Sequence, residues 1–230
     1  MKKMGIRRNG VLINSTVVID NLYKITKALK EFEWMVKGCI ANQIWIYFLG
    51  GNCMYCRPTD NLDLVGVNII EAIEELYGVL AEGYHGDSVR RLSFLVSEDP
   101  KFRINVESYD SPLFIDELKR RRIVQVLKNS IPTISIEDQI VSKLSLGRRE
   151  DLIDITNLLR AYKRYLRANL VFDKKPEYTI KFTEIEKIID TTIPDLKEDI
   201  LRTIENITGS NFEELSLNEN EPIKMIRLLN

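Results

Sequence analysis

The sequence predicts an α+β protein, in which a mixed β-sheet flanked by helices is followed by a helical C-terminal part. The first half of the chain alternates segments of helical period with segments of strand period, whereas the second half is helical in period almost throughout. A length of 230 residues suits one full α/β domain with a helical appendage. We therefore predict an α/β core with an N-terminal helix over residues 1–145 and a helical region over residues 146–230.

The first predicted elements are a long amphipathic helix and two strands. The helix begins after Ser15 and Thr16, and its apolar residues recur at steps of four and three: Val18, Leu22, Ile25, Leu29, Phe32 and Val36. The run QIWIYFLGG, residues 43–51, is predicted to be a buried strand that ends in two glycines. LDLVGVN, residues 62–68, is predicted to be the second strand.

The next elements complete the predicted sheet. A helix is predicted over residues 69–84, because its apolar residues share one helical face. RLSFLVS and FRINVES are predicted to be two strands joined by a turn at EDPK, residues 98–101. From Arg121 we predict a strand, a turn at Lys128 to Ser130, a short strand and a helix that Ser135 caps.

The remaining elements are predicted to be helices. REDLIDITNLLRAYKRYLR, residues 149–167, has the helical period, and DKKPEY, residues 173–178, is predicted to be a linker. Three short helices follow: one capped by Thr183, one from Ile193 to a stop at Gly209, and one that opens at EPIKMIRLL, residues 221–229.

Composition restricts the function classes. No apolar run approaches the roughly 20 residues of a membrane helix, and the basic start of the chain offers no cleavage site, so we expect a soluble, cytoplasmic protein without a membrane partner. A formal net charge of -1 argues against a chain built mainly to coat nucleic acid. Scarce glutamine with abundant lysine, glutamate and isoleucine favours a thermophilic source. The oligomeric state is left open.

Glycines and acidic residues near position 60 predict phosphate chemistry. A Gly-Gly pair at the end of a buried strand lets the backbone approach an anionic group. In the strand that follows, alternation points Asn61 and Asp63 to the same side. Two metal-binding side chains beside a phosphate-binding turn are what magnesium-dependent phosphoryl or nucleotidyl transfer needs.

Two segments resemble known nucleotidyltransferases. FLGGNCMYCRPTDNLDLVGV, residues 48–67, resembles the nucleotidyltransferase-fold signature, in which Gly-Gly or Gly-Ser is followed by Asp-x-Asp. IPTISIEDQIVSKLSLGRREDLIDITNLL, residues 131–159, is similar to a segment of the abortive-infection toxins of AbiEii-like type. The resemblance implies a nucleotidyltransferase-like sheet and Mg²⁺-dependent transfer of a nucleotidyl group from a nucleoside triphosphate to a protein or RNA acceptor, as in a toxin–antitoxin effector.

The resemblance also implies roles for individual residues. The implied catalytic residues are Asp63, Glu107, Lys143 and Asp151. The implied nucleotide-binding residues are Gly50, Gly51, Arg57, Thr59, Lys143 and Arg148. The implied metal ligands are Asn61, Asp63 and Glu107, with Asn105 as an alternative to Glu107 on the same strand face. Because Asn61 stands where the family has its first Asp, the alternative function is a catalytically inactive member that binds nucleotide or a partner.

Three other features have structural alternatives. Cys53 and Cys56 form a C-x-x-C frame that suits a redox pair, a zinc site or two packed thiols. Arg148 and Asp151, three residues apart, could instead form an ion pair within one helix. LKRRR, residues 118–122, could contact phosphate or could be a solvated helix end or strand start, and His85 is most simply a loop residue.

Overall fold

A computed structural model of the chain describes residues 10–50, 56–79, 89–112, 115–126 and 128–229. It divides into two compact units. One unit comprises Met1–Ile44 and Cys56–Ile134, and the other comprises Trp45–Tyr55 and Ser135–Asn230. The first unit contains a six-stranded mixed sheet and helices, and the second is helical in its described part, so the predicted fold class is confirmed.

The sheet lies in the first unit. Its strands, in chain order, are β1 (Trp34–Lys37), β2 (Asn61–Val67), β3 (Val89–Glu98), β4 (Lys101–Tyr109), β5 (Arg122–Val126) and β6 (Asn129–Thr133). Their order across the sheet is β3-β4-β2-β1-β6-β5. The β2–β4 and β1–β6 pairs are parallel and the other pairs are antiparallel. The predicted strand pairs on both sides of the EDPK turn and of Lys128 are therefore confirmed.

The predicted N-terminal helix is too long. Helix α1 (Thr16–Ala28) buries Val18, Leu22 and Ile25 as predicted, but it ends at Ala28. Phe32 is partly exposed in the connection that follows, and Val36 belongs to the buried strand β1. The helical period continued by coincidence, because a buried strand residue happened to lie four positions after Phe32.

The predicted strand QIWIYFLGG is wrong. Residues 43–48 belong to helix α2 (Gly38–Phe48), whose first residues belong to the first unit and whose last residues belong to the second. Residues 39–46 of the helix are buried without interruption. A helix that is buried all round shows the same unbroken apolar run as a central strand, so periodicity alone cannot separate the two.

Two further helices of the first unit flank the sheet. Helix α3 (Ile70–Tyr77) buries Ile70 and Ile73 and ends at Gly78, which adopts a left-handed conformation. The rest of the helix predicted over residues 69–84 lies partly outside the described residues. Helix α4 (Asp116–Arg120) is a single short turn that precedes β5.

Besides the end of α2, the described part of the second unit contains six α-helices, of which α6 is the longest: α5 (Ile136–Leu146), α6 (Arg149–Val171), α7 (Phe182–Thr192), α8 (Lys197–Thr208), α9 (Phe212–Asn218) and α10 (Pro222–Leu228). The Ser135 hydroxyl accepts a hydrogen bond from the Asp138 backbone N–H, which confirms the predicted cap of α5. Gly209 ends α8 as predicted.

Two predictions about the C-terminal helices are wrong. Thr183 lies inside the first turn of α7, and its backbone N–H and hydroxyl donate to Glu219. A cap supplied from a distant part of the chain leaves no local sequence signal. Helix α9 was not predicted, although the Asn211 side chain caps its N-terminus.

The predicted linker is attached to the helices before it. The hydroxyl of Tyr165 accepts hydrogen bonds from the Glu177 and Tyr178 backbone N–H groups. The hydroxyl of Tyr162 accepts one from Ile180. The buried carboxylate of Glu137 accepts the Tyr178 hydroxyl at 2.5 Å and the Lys181 N–H at 2.9 Å. The linker is thus hydrogen-bonded to α5 and α6.

No described helix combines the length and the apolar character that crossing a bilayer requires.

Candidate functional site

Polar side chains from adjacent strands meet on one face of the sheet. In β2 the side chains of Leu62 and Leu64 are buried, so Asn61 and Asp63 point together to the other side, as the alternation predicted. The parallel pairing of β2 with β4 places Asn105 directly beside Asp63. Ser93 of β3 is in turn the partner of Asn105.

These side chains form a connected hydrogen-bond cluster. Asp63 Oδ1 accepts from Asn61 Nδ2 at 2.6 Å and from Asn105 Nδ2 at 2.8 Å. The Thr59 hydroxyl donates to Asn61 Oδ1 at 2.9 Å, and the Ser93 hydroxyl donates to Asn105 Oδ1 at 2.7 Å. We call these five residues the Asp63 cluster. Two side chains that the sequence singled out, Asn61 and Asn105, thus converge on one carboxylate oxygen of a third, Asp63.

Gly38 brings the start of α2 against the same carboxylate. Gly38 has a φ of +70°, and a Cβ placed on it would lie 2.3 Å from Asp63 Oδ2. The absence of a side chain at Gly38 therefore leaves the space that the carboxylate fills. A carboxylate near the first turn of a helix is also favoured by the helix dipole.

The sequence did not single out Gly38, and the predicted nucleotide-binding roles of Gly50 and Gly51 stay predictions. Gly50 follows α2 with a φ of +69°, and no described atom lies within 4 Å of a Cβ placed there. Gly51 and Cys53 lie outside the described residues. The sequence does not reveal Gly38 because the helical period runs on to Val36, and the glycine becomes informative only once Trp34–Lys37 is known to be a strand.

Glu107 lies next to the cluster but pairs elsewhere. The residue opposite Glu107 in the β2–β4 pair is Val65, which lies two residues after Asp63 in β2. Arg91 Nε lies 3.0 Å from Glu107 Oε1 in an exposed ion pair. Between the two alternatives that the sequence left open on β4, the register therefore places Asn105, and not Glu107, in contact with Asp63.

Further charges lie on the same face of the sheet. Lys37 is the partner of Asp63 across the β1–β2 pair, and its Nζ lies 3.3 Å from the Glu117 carboxylate. Burial raises the pKa of the Tyr109 phenol, and the negative charge of Glu107 raises it further. Positive and negative side chains on this face thus largely neutralise each other.

Thr59 and Arg57 lie at the entry to β2. Thr59 is buried and belongs to the Asp63 cluster, and its backbone pairs with Val11. The Arg57 carbonyl accepts a hydrogen bond from Gln43 Nε2 at 2.9 Å. Both residues are thereby held by their surroundings, Thr59 through its side chain and Arg57 through its backbone.

The Asp63 cluster contains oxygen atoms that could hold at most one divalent cation. Mg²⁺ in proteins is usually bound through one or two carboxylates together with substrate phosphates. Rotating both asparagine amides by 180° would direct their Oδ1 atoms towards Asp63, and the Thr59 and Ser93 hydroxyls could then accept instead of donate. A site for two cations does not fit, because Asp63 is the one carboxylate among the three converging side chains.

No set of three or more His, Cys, Asp or Glu side chains is grouped as a metal site within the part of the chain that the structure describes. Cys39 and Cys56 are both buried, and neither forms a disulfide with another described residue. The predicted partner of Cys56, Cys53, lies outside the described residues.

Lys143, Asp151 and Asp154 form a second polar group, in the second unit. Lys143 Nζ of α5 lies 2.9 Å from Asp151 Oδ1 and 2.8 Å from Asp154 Oδ2 of α6. All three side chains are buried, with at most 7% of each exposed. Arg148, which is largely exposed, reaches Asp151 Oδ2 at 2.6 Å. The ion pair within α6 that the sequence left as an alternative is therefore present.

The pKa shifts of Lys143 and Asp151 favour the charged forms of these two side chains. Burial opposes the charge of Lys143, but the carboxylates of Asp154 and Asp151 outweigh it and raise the lysine pKa. Burial likewise opposes the charge of Asp151, but hydrogen bonds from Arg148 and Lys143 lower its pKa. The group is a charged network with its hydrogen bonds made inside the unit.

The LKRRR segment forms the end of α4 and the start of β5. Leu118 is buried, Lys119 pairs with Asp116 at 2.9 Å, and Arg121 donates to the Leu118 carbonyl. These contacts support the structural alternative for this run.

Comparisons with known proteins give a likeness in fold. No family model matches the chain, and no curated protein matches its sequence. One similar structure is that of a Helicobacter pylori protein described as a candidate nucleotidyltransferase. It is 16% identical to this chain with a TM-score of 0.43, and the match covers 93% of this chain and 97% of the H. pylori chain. The H. pylori protein JHP933 is 13% identical with a TM-score of 0.46, covering 95% of each chain.

An antigenic nucleotidyltransferase-like protein from Paracoccidioides brasiliensis is also 13% identical, with a TM-score of 0.42. The match covers 79% of this chain and 90% of that protein. Because all three TM-scores lie below 0.5, these likenesses say nothing about the activity of this chain.

Proposed function

We propose that this chain is a nucleotidyltransferase-like protein that binds a nucleoside triphosphate and one divalent cation at the Asp63 cluster without catalysing two-metal nucleotidyl transfer. The observation that carries the proposal is the contact of both asparagine amides, Asn61 and Asn105, with the same oxygen of Asp63. The arrangement gathers three potential ligands at one point but supplies a single negative charge.

The proposed binding mode assigns a role to each residue of the cluster. Asp63 would supply the charge, and the amide oxygens of Asn61 and Asn105 would complete the protein's share of the ligands for Mg²⁺. Thr59 and Ser93 would hold the two amides in place from behind. When bound, the cation would neutralise phosphate charge. Because amides carry no charge, the triphosphate itself has to contribute much of the cation affinity.

The buried network of the second unit is proposed to stabilise the fold. Lys143 Nζ already contacts two carboxylates, and Arg148 is directed at one of them. A lysine that neutralises triphosphate would have to give up these buried partners. We therefore propose that Lys143, Arg148 and Asp151 hold α5 against α6 instead of binding the nucleotide.

Mg²⁺-dependent transfer to a protein or RNA acceptor, in a toxin–antitoxin setting, is the second candidate function. One observation favours it: Asn61, Asp63 and Asn105 converge within hydrogen-bond distance, which is the placement that ligands of a catalytic cation need. It would require a single cation to support the transfer.

Nucleotide binding and transfer can be measured on the same protein. Calorimetry with each of the four ribonucleoside triphosphates and Mg²⁺ should detect binding, and Asp63→Asn should weaken it at least about tenfold, because the one carboxylate is lost. The matched control is Asp60→Asn, which removes an exposed carboxylate three positions earlier in the chain. Equal losses in the two variants, or no binding by the unmodified chain, would contradict the proposal.

Transfer is tested with labelled triphosphates in Mg²⁺ and Mn²⁺. The unmodified chain should transfer no label to itself, to protein or to RNA. Label transfer that Asp63→Asn abolishes would instead establish the second candidate. The double variant Asn61→Asp/Asn105→Asp adds two carboxylates at the converging point, and it should bind Mn²⁺ more tightly than the unmodified chain does.

A further inference from the structure

The C-terminal half of α6 carries four basic residues on one face. Arg160, Lys163, Arg164 and Arg167 stand at positions i, i+3, i+4 and i+7, so they form one line along the helix. The opposite face buries Leu158, Leu159, Tyr162 and Leu166. We call the four residues the basic stripe.

Positive charge is concentrated in the segment that contains the basic stripe. Residues 160–175 contain six basic side chains and one acidic side chain, Asp173, for a net charge of +5, whereas the whole chain has a net charge of -1. The other residues together therefore carry -6. A local charge of this size stands out against an acidic background and attracts anions.

The stripe has no acidic neighbours on its own helix. No Asp or Glu lies three or four positions from any of its members, although such pairs are the usual way to neutralise basic residues on a helix. Like charges at these spacings destabilise a helix by about 0.2–0.5 kcal/mol per pair. Burial, followed by the charge of Arg167, lowers the pKa of Lys163.

An exposed apolar end follows the stripe. Leu170, Val171 and Phe172 close α6 with 46%, 77% and 69% of their surfaces exposed. Phe172 is the C-cap residue, and the exposed Lys174 and Lys175 follow it. An exposed aromatic ring that follows a row of cations along the chain offers the two kinds of contact that bind single-stranded nucleic acids, base stacking and phosphate contacts.

We propose that the basic stripe and Phe172 bind a single-stranded nucleic acid, with the stripe along its phosphates and the Phe172 ring stacked on a base. Three of the four stripe residues are arginines, whose planar guanidinium groups match phosphate in a bidentate manner. A line of like charges complements a polymer with regularly repeated negative charge. This surface lies wholly within the second unit and is separate from the function proposed for the Asp63 cluster.

Two other anionic partners fit less well. A helix that lies on a membrane buries a continuous apolar face, whereas the exposed apolar residues of α6 are Ile153 near its start and a group at its end, with the basic stripe between them. An acidic peptide would use the cations but would leave the exposed aromatic ring without a role.

Fluorescence anisotropy with a labelled 20-nucleotide oligouridylate tests the proposal. Arg160→Gln/Arg167→Gln should weaken binding by about tenfold and make the slope of log K against log salt shallower by about 1.4, since each phosphate contact on a single strand contributes about 0.7. The matched control, Lys181→Gln/Arg202→Gln, removes two exposed cations elsewhere in the second unit and should change neither quantity.

Phe172→Ala separates stacking from simple charge attraction. It should weaken single-strand binding at least about fivefold but leave binding to a duplex of equal length unchanged, because bases in a duplex are not free to stack on the ring. Circular dichroism would verify that each variant is folded. Deoxyribonucleotide strands form a second arm of the measurement, which separates DNA from RNA.

Several outcomes would overturn the proposal: no binding at low salt, equal losses in the stripe and control variants, or binding to polyglutamate or anionic vesicles in preference to the oligonucleotide. Variants of the Asp63 cluster should leave oligonucleotide binding intact. Failure of the nucleotide-binding proposal would therefore be distinguishable from failure of this one.

Discussion

At the scale of single residues, Gly38 determines where the Asp63 carboxylate can lie. The backbone at Gly38 has a positive φ, and its missing side chain leaves the space occupied by Asp63 Oδ2. Two separate requirements thus select glycine at one position, a left-handed backbone and a close approach. Few substitutions could meet either requirement, and none could meet both.

Replacement of this glycine allows a paired measurement. Gly38→Ala and Gly50→Ala both place alanine in the left-handed region, which costs about 1–2 kcal/mol. Only Gly38→Ala also forces a Cβ into a carboxylate oxygen, so we expect its total cost to be about 3 kcal/mol. Unfolding in urea would measure both free energies. Equal losses at the two glycines would show that the carboxylate moves aside easily.

The sequence predicted part of the candidate site. Strand alternation sufficed to place Asn61 and Asp63 on one side, because the period of two is local information. The choice between Asn105 and Glu107 required the register of β4 against β2, which depends on residues some forty positions apart. Gly38 was readable only once Trp34–Lys37 was known to be a strand.

At the scale of the elements, the contact between α5 and α6 rests on a buried ion network. Lys143→Met would leave the buried Asp151 and Asp154 without their shared cation, so we expect a loss of about 3–5 kcal/mol in the free energy of unfolding. Arg148→Met removes a largely exposed partner of Asp151 and should cost less than about 1 kcal/mol. Denaturant titration of the two variants measures the difference, and a Lys143→Met protein as stable as the unmodified chain would refute the expectation.

The same network predicts a pH dependence of stability. Because the folded-state pKa of Asp151 lies below its ordinary value of 3.8, its contribution is present above that value and is lost as the pH falls through the folded pKa. The Lys143 pKa is raised above 10.5, so its contribution is lost only at more alkaline pH.

Asp151→Asn is therefore expected to flatten the acid limb of the stability curve, measured as the free energy of unfolding between about pH 2 and 6. Asp199→Asn, a change on an exposed part of α8, serves as the control and should leave the slope unchanged. If the two variants changed the slope of the stability curve equally, Asp151 would contribute no more to acid unfolding than an exposed carboxylate does.

Element types were predictable where the period was unambiguous. The paired strands β3 and β4 and helix α6 followed from alternation and from a long amphipathic pattern. Strand β1 has four residues, too few to establish a period, and α2 is buried all round, so its apolar run matched a strand equally well. The errors at these two elements are connected. Once β1 was included in the first helix, the apolar run of α2 was the next segment of the sequence that could be interpreted as a strand.

At the scale of the whole molecule, net charge conceals a strong separation of charge. The chain has a sequence pI of about 6.0, yet residues 160–175 carry +5. We expect the protein to bind a cation-exchange resin at pH 8 despite its negative net charge. Arg160→Gln/Arg167→Gln should elute at clearly lower salt, and Lys181→Gln/Arg202→Gln close to the unmodified protein. Passage of the unmodified protein through the column without retention would contradict this expectation.

The general plan of the molecule was more predictable than its helix ends. The switch to helices in the second half followed from the period of the sequence, whereas the start of α7 depends on Glu219, thirty-six residues after Thr183. Contacts of this length are set by tertiary packing, which no local pattern records.

The hydrogen-bonded linker between α6 and α7 has a consequence for proteolysis. The side chain of Lys174 is exposed and its backbone N–H is bonded to the Asn169 carbonyl at the end of α6. The backbone N–H groups between Glu177 and Lys181 are instead held by two tyrosines and a buried glutamate. A protease that cleaves after lysine should therefore cut at Lys174 well before Lys181. The two fragments would stay together after the cut, since the linker downstream remains fastened to α5 and α6.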